Sequence, residues 1–583
     1  MDDRSSHQLV ETAVHALSRL THRGAVAADG KSGDGCGLLM KMPQRYFRDL
    51  AATHGIALTD EFAVGMVFLS RDAEQADMER QRLQSEIEKE ALIVAGWRVV
   101  PVNTEACGER ALQTLPRIEQ VFINLPEFDD IEIAERRLFI ARRRARKFIT
   151  SRDHGFHIIS LSTRVICYKG LVMPHNLPVF YPDLCDQRLE SSLCIFHQRF
   201  STNTLPEWRL AQPFRYLAHN GEINTIQGNR NWALARGHNL DSPLIPEMDH
   251  IRPLVTQTGS DSFSLDNMLE VLLAGGMDIF RAMHMLIPRA WQNTTNMDAE
   301  VRAFYEYHAM HMEPWDGPAG IVLTDGRYAA CSMDRNGLRP ARYLITRDRI
   351  MTLASEMGVI DYDDADVVAK GRLGPGDMLA VDLSTGELLT PDSIEYRLKQ
   401  RQPYLDWLNR EANYMESSLE QEMCDAPFSA RELLVHKKMF QVSTEEVELV
   451  LRVLVEGGQE PVGSMGDDTP LPVLSRHTRS LFDYFRQQFA QVTNPAIDPL
   501  REQLVMSLQT RIGSERNIFI EDAEHAARIV INSPVLSTSK FTQLLSVDDD
   551  RYRHYMIDLN RAAGLNLVAA LRDICHQAER AIR

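Results

Sequence analysis

The stretch from Phe196 to Thr225, FHQRFSTNTLPEWRLAQPFRYLAHNGEINT, places the strongest constraint on what this chain can fold into. Polar side chains of fixed geometry (Gln198, Arg199, Ser201, Thr202, Asn203, His219, Asn220, Glu222, Asn224) are set among apolar residues of β type. A rigid scaffold presents a small polar ligand in this way. The first half reads as a strand running into a loop. The second half centres on Asn220-Gly221, a dipeptide that readily takes positive φ, so the backbone can turn tightly and aim its N–H groups at one point. Alone, the stretch fits an ordinary hairpin equally well, and the rest of the chain has to decide.

With 583 residues the chain exceeds one core, which predicts three or four domains, or fewer if one is a large sandwich. A net charge of −17 argues against nonspecific nucleic-acid binding. The cysteines at 36, 107, 167, 185, 194, 331, 424 and 575 show no CxxC spacing, so neither a zinc ribbon nor an iron–sulfur loop is encoded, and reduced thiols are expected. MDDRSSHQLV lacks the apolar core of a secretory signal, and no apolar run reaches membrane-spanning length. The expected location is the cytoplasm.

Along the chain, Ser5-x-x-Gln8 fits a capping box ahead of a helix with Val10, Ala13, Val14, Leu17 and Leu20 at helical spacing. THRGAVAADGKSGDGCG is a turn-dense passage before a strand at Leu38–Met42. Strands are expected at Phe62–Leu69 and Ile118–Leu125, with a surface helix at Asp77–Ile93 between them. ERRLFIARRRARKF, 135–148, puts Leu138, Ala141, Ala145 and Phe148 on one helical face and reads as a solvated amphipathic helix with its arginines in water. His157–Tyr168 and Leu193–Phe196 should pair in a sheet feeding the opening stretch. A helix at Leu265–Ala274 is capped by the polar turn 258–262. Short strands at Ala319–Leu323, Tyr328–Ser332, Arg342–Thr346 and Ile350–Ala354 read as an antiparallel meander, closed by Asp377–Val381. Glu395–Asn413 is helical in pattern, a plausible linker. VELVLRVLVEGG, SMGDDTP and LFDYFRQQFAQVTNP then give helix, turn and helix.

Four clusters carry candidate chemistry: His22-Arg23-Gly24, Gln198 to Thr202, His219 to Glu222, and Gly259 to Ser262. An arginine, an aspartate and an Asn-Gly turn together suit an amino-acid substrate. The guanidinium forks onto an α-carboxylate, the carboxylate takes an α-ammonium, and paired N–H donors face a developing oxyanion. Singly, each has a plainer reading: Arg199 as a structural ion-pair partner, Asn220-Gly221 as a turn, Asp261 as a helix cap.

In this order the clusters resemble the class II glutamine amidotransferases. LTHRGAVAADGKSGDGCG looks like that family's L-x-x-R-G passage, FHQRFST like its H-x-R-[YF]-S-T passage, and AHNGEINT like its oxyanion-hole turn. MHMEPWDGPAG, DRNGLRPARY, SMGDDTP and FRQQFAQVTNPAIDPLRE further resemble the glutamate synthase large-subunit (α) branch, over essentially the whole chain. The resemblance implies an α+β fold for residues 1 to about 400, a four-layer αββα sandwich of N-terminal-nucleophile hydrolase type. A helical linker over 401–443 and a partial α/β central domain over 444–583 would follow. It implies that Arg199 holds the glutamine α-carboxylate with Thr202 and Asn203 nearby on a closing loop, and that Gly259 and Asp261 hold the α-ammonium. Asn220 and Gly221 would stabilise the oxyanion, and Arg23 would sit beside the nucleophile. For a full-length subunit it implies FMN, a [3Fe-4S] cluster and a small NADPH-dependent flavoprotein partner, none bound by this segment alone.

One departure stands out. The family's nucleophile is an N-terminal cysteine whose α-amine is the base, whereas this chain begins with Met1, whose thioether has no proton to lose. The expectation is a truncation or misplaced start, a sheet lacking one strand, and no turnover by the chain as written. Cys36 and Cys194 are expected to pack in the core. The rival readings are a non-catalytic glutamine- or glutamate-binding module and a stand-alone glutaminase with an unusual start.

Overall fold

A computed structural model describes residues 1–126, 130–149, 155–200, 204–416, 427–458, 461, 473–476, 503–560 and 564–582. They form two compact units, Met1–Tyr414 with Ala496–Ile531, and Met415–Pro495 with Asn532–Arg583.

The first unit opens on α1 (His7–Arg19), whose cap is Ser6 rather than Ser5: its hydroxyl accepts from Leu9 N at 3.2 Å. β1 (Cys36–Lys41) is followed by α2 (Gln44–Thr53), β2 (Phe62–Leu69), α3 (Ala73–Lys89), β3 (Ile93–Val99), β4 (Arg117–Asn124) and α4 (Ile131–Ile149). β2 has the predicted bounds. α3 starts four residues before the expected Asp77 because Asp72 accepts from Gln75 N at 2.9 Å and caps it there. β5 (His157–Ser162), β6 (Val165–Gly170), β7 (Cys194–Gln198) and β8 (Leu217–Gly221) lead to α5 (Ile226–Ala235), α6 (Asp261–Ala274), α7 (Ile279–Leu286) and α8 (Ala299–His308).

Three antiparallel sheets make the interior. In the sheet β3-β4-β2-β5, alternate residues of β2 face opposite ways. Ala63, Val67 and Leu69 pack under Leu83 and Ile87 of α3 and Leu138 and Ala141 of α4. Phe62, Val64, Met66 and Phe68 share a second core with Leu38 and Met40 of β1 and Ile166 and Tyr168 of β6. β1 is central in β6-β1-β7, with Cys36 opposite both Gly170 and Gln198. β9 (Ala319–Thr324), β10 (Tyr328–Met333), β14 (Met378–Asp382) and β15 (Glu387–Leu389) join β8 in the five-stranded order β15-β14-β10-β9-β8. Leu217, Ile321 and Leu323 of that sheet meet Leu265, Leu269 and Met283 of α6 and α7. Sheets inside and helices outside give the α+β, αββα arrangement expected from the sequence.

Several local expectations are corrected. His157–Tyr168 is two strands in different sheets, broken at Ser162–Thr163, and β6 and β7 flank β1 without pairing to each other. The meander divides: β9 and β10 stay in the large sheet, while β11 (Arg342–Thr346), β12 (Met351–Ala354) and β13 (Val367–Arg372) form their own sheet. α4 is not a solvated helix. Arg142 and Arg143 are buried, Arg142 against Glu270 of α6, and Arg143 donating to the Ile251 and Pro253 carbonyls. Phe148, expected inside, is 40% exposed. After β15, α9 (Pro391–Lys399) and α10 (Tyr404–Glu411) bury Ile394, Leu398, Tyr404 and Leu408 in the core beneath α8.

In the second unit a capping box between Ser429 and Glu432 starts Ala430–Met439, and the VELVLRVLVEGG segment is helical, with a π-helical turn at Val447–Leu451. Helices Thr538–Leu545 and Leu567–Ile582 follow. SMGDDTP and LFDYFRQQFAQVTNP lie outside the described residues. Among the described residues, no helix is long and apolar enough to cross a membrane.

Candidate functional site

Arg199 leaves the end of β7 with its N–H on the Gly35 carbonyl at 2.9 Å. It is 4% exposed; one guanidinium nitrogen donates to Thr204 Oγ1 at 2.6 Å, and another, Nη1, has no partner among the described residues. Burial lowers its pKa, partly offset by the charges of Asp34 and Asp261. A buried guanidinium with an idle donor and acids nearby but not in contact is a receptor for an anionic group.

Asp261 is the first residue of α6, whose N-cap Ser260 accepts from Phe263 N at 3.2 Å. The carboxylate accepts from Ile223 N at 2.7 Å and from the Ser262 hydroxyl at 3.3 Å, with 19% of the side chain exposed. Because Ile223 is two residues past Gly221, this bond ties the start of α6 to the Asn220-Gly221 segment. Gly259, at φ +88°, precedes the cap, and its carbonyl accepts from Arg230 of α5 at 2.9 Å. Arg230 also donates to Ser264 Oγ at 3.0 Å, holding the first turn of α6 in place.

Asn220-Gly221 is not the tip of a hairpin. It ends strand β8, with Asn220 opposite Gly320 and Gly221 opposite Ala319. Gly221 is nonetheless required: at φ +152° a Cβ would fall 1.7 Å from the Pro318 carbonyl oxygen, which also accepts from Glu222 N at 2.9 Å. Gly317, also at φ +152°, faces Glu222 with the same intolerance. The turn chemistry thus serves close approach of two backbones.

The neighbouring His219 is buried. Gln212 brackets its backbone, accepting from His219 N at 2.7 Å and donating to His219 O at 3.2 Å. Its Nδ1 lies 2.8 Å from Ser262 Oγ, and burial lowers its pKa. His197, one strand residue before Gln198, is pushed down to about 3 by burial.

Arg199, Gly259, Asp261, Asn220 and Gly221 are therefore assembled from β7, β8 and the start of α6. Arg23 is held apart from them: half exposed, it pairs with Glu356, which also takes His22 Nε2 at 2.7 Å. Its neighbour Gly24 touches the site wall, since a Cβ there would meet Gln198 Nε2. Thr202 and Asn203 lie outside the described residues. Cys36 is fully buried, its thiol on the Val172 carbonyl at 3.3 Å and its pKa raised by burial. The Cys194 thiol is pushed up to about 12. Sequence reasoning missed Gln212, Arg230 and Glu356, which act through long-range contacts that no local motif marks.

Comparison with known proteins gives a family match over residues 1–407 to "Glutamine amidotransferases class-II" and over residues 435–583 to "Glutamate synthase central domain". The glutamate synthase [NADPH] large chain of Azospirillum brasilense is 42% identical over 551 residues, 93% of this chain and 36% of that protein. That of Bacillus subtilis is 39% identical over 585 residues, 99% of this chain and 38% of that protein. Ferredoxin-dependent glutamate synthase 2 of Arabidopsis thaliana is 39% identical over 595 residues, 100% of this chain and 36% of that protein. This chain thus spans little more than a third of these relatives. The solved glutamine phosphoribosylpyrophosphate amidotransferase of B. subtilis aligns at 14% identity with a TM-score of 0.23, over 55% of this chain and 47% of that one. With a family match over 407 residues that includes all of the assembled site, the chain belongs to the class II glutamine amidotransferases and continues into glutamate synthase central-domain sequence.

Proposed function

We propose that this chain is the glutamine-binding and amidotransferase portion of a glutamate synthase large subunit, an enzyme that releases ammonia from glutamine and passes it to 2-oxoglutarate to form glutamate. The observation that carries this reading is Arg199, whose buried Nη1 finds no partner among the described residues while Asp261 sits partly open at the start of α6. Arg199 takes the α-carboxylate, Thr202 and Asn203 are assigned to the same end of the substrate, and Asp261 with Gly259 takes the α-ammonium. Asn220 and Gly221 then lie where the side-chain amide oxygen gathers charge as a thiolate adds to its carbon. Ammonia leaves from that adduct, and water cleaves the thioester to glutamate. Arg23 is assigned to the approach of the nucleophile.

Cys36 and Cys194 do not suit this step: both are strand residues whose thiols burial holds protonated. The 583-residue chain is proposed to bind glutamine without turning it over. FMN, a [3Fe-4S] cluster and the small NADPH-dependent flavoprotein subunit belong to the proposed parent enzyme.

Calorimetry with L-glutamine tests the clamp: binding by the wild-type chain should be lost in Arg199→Ala and in Asp261→Ala, and heats that survive unchanged in both would sink it. A glutamine-mimicking diazoketone followed by intact-mass measurement should leave the chain unlabelled; covalent labelling at any residue would contradict the absence of a nucleophile.

A further inference from the structure

We propose that His219 is a positioning residue that locks the ammonium-binding end of the site to its oxyanion end. In this arrangement its Nδ1–H donates to Ser262 Oγ, and the Ser262 proton is turned onto Asp261. The inference rests on the glutamine-site reading above and adds to it a fixed tautomer and a relay of three side chains.

The geometry decides the direction of the relay. His219 Nδ1 lies 2.8 Å from Ser262 Oγ, and that hydroxyl donates to Asp261 Oδ1 at 3.3 Å. A hydroxyl has one proton, and a carboxylate is a stronger acceptor than a neutral imidazole nitrogen. With the Ser262 proton on Asp261, the short contact requires the hydrogen on Nδ1. The imidazole has no freedom to swing away: its side chain is fully buried, and Gln212 grips the peptide on both sides at 2.7 and 3.2 Å.

The opposite edge of the ring faces the Asn220-Gly221 segment. Nε2 lies 2.9 Å from where a Cβ would stand on Gly221, a point the Pro318 carbonyl oxygen also crowds, and among the described residues it makes no hydrogen bond of good geometry. Asp261 is also held by Ile223 N at 2.7 Å, two residues beyond Gly221. The carboxylate and the oxyanion segment are thus joined twice, by backbone through Ile223 and by side chain through Ser262 and His219. Glutamine must span these two ends, so their separation sets its fit.

Side-chain mimicry separates positioning from bulk packing. The amide nitrogen of asparagine can occupy the Nδ1 position and donate to Ser262, whereas that of glutamine reaches the Nε2 position. The glutamine dissociation constant of the 583-residue chain, measured by calorimetry, should rise about ten- to a hundredfold in His219→Ala and His219→Gln. His219→Asn should recover most of that loss, and Ser262→Ala, a smaller change that spares the fold, should weaken binding about tenfold. In ¹⁵N-labelled wild-type protein, Nδ1 of His219 should show the shift of a protonated ring nitrogen and Nε2 that of an unprotonated one. Wild-type affinity in His219→Ala, rescue by glutamine rather than asparagine, or the reverse pattern of ring shifts would overturn the relay. If instead the wild-type chain binds no glutamine, or Arg199→Ala binds it normally, the glutamine-site reading itself has failed.

Discussion

Two sets of buried charge lie within the first unit, and they are built on opposite rules. Around α4 and α6, Arg142 pairs with Glu270, Arg215 has Asp266 at 3.5 Å and Glu270 at 3.8 Å, and the Asp266 carboxylate also accepts from Tyr216 N at 3.0 Å. Arg142 and Arg215 each have a carboxylate within ion-pair range, and Arg143 is held by the Ile251 and Pro253 carbonyls. At the end of β7, Arg199 is equally buried, yet among the described residues it pairs with no carboxylate and its guanidinium donates only to the Thr204 hydroxyl. The first set neutralises itself and serves the fold. The second is incomplete without a ligand, and that incompleteness, more than burial or charge, marks a binding site.

The comparison breaks most visibly at Glu270. Glu270→Ala leaves Arg142 and Arg215 buried with one carboxylate fewer, and removing one member of a buried pair costs about 3–5 kcal/mol. Denaturant unfolding of this variant should show a loss of that size. A change below about 1 kcal/mol would mean that the cluster is solvated and that the contrast with Arg199 is one of degree.

Backbone constraint at the binding region gives the next effect. Gly221→Ala would place a methyl group 1.7 Å from the Pro318 carbonyl oxygen at a φ of +152°. Strain of this kind costs about 1–3 kcal/mol, and the shift of Glu222 and Ile223 would also disturb Asp261. Thermal unfolding and glutamine calorimetry should both register it. Ala at Gly228, on exposed α5 where a Cβ meets nothing, is the control and should stabilise the helix slightly.

Buried histidines extend the contrast to pH. His308 donates from Nδ1 to the Phe304 carbonyl at 2.8 Å and accepts from Arg281 at 3.1 Å on Nε2, so it is neutral, and burial with the Arg281 charge brings its pKa down to about 3. Burial holds His284 at about 4. The unfolded chain therefore binds more protons than the folded one below about pH 6.5. Stability rises with pH through the window from about 4 to 6.5 and is lost on acidification, on the order of 1 kcal/mol per pH unit per histidine. His308→Gln, which keeps an acceptor for Arg281, should flatten the slope of unfolding free energy against pH; an unchanged slope would remove His308 from this account.

How far the sequence reveals these features depends on the range of the interaction involved. β2 and the capped start of α6 were legible because each rests on contacts within a few residues: alternation in one case, the Ser260 hydroxyl in the other. The order of the site clusters was legible for the same reason, since Arg199, Asp261 and Asn220-Gly221 sit in compact motifs. The burial of Arg142 was not, because its partner Glu270 lies on another helix and a helical face rich in arginine looks solvated until that partner is known. Asn220-Gly221 in sequence suits a hairpin as well as an oxyanion turn. The real demand on Gly221 comes from Pro318, across the β8–β9 pair. Gln212 acts through the His219 backbone and Arg230 through Gly259 and Ser264, so nothing beside them in sequence announces a role.

The smallest expected effect is the sharpest test of the contrast. Arg199→Ala removes a guanidinium that is desolvated without compensation, and with it one hydrogen bond to Thr204. The penalty relieved and the packing lost nearly cancel, so unfolding free energy should stay within about 1 kcal/mol of wild type or rise slightly. Arg142→Ala, with similar burial, takes from Glu270 its direct ion-pair partner and leaves Glu270 and Asp266 to Arg215 and Arg143, and stability should fall by several times as much. Two buried arginines, one chemical change and opposite outcomes in denaturant unfolding would separate a group held for the fold from a group held for a ligand. Equal losses in both would show that Arg199 is structural, and the site would then have to be sought elsewhere.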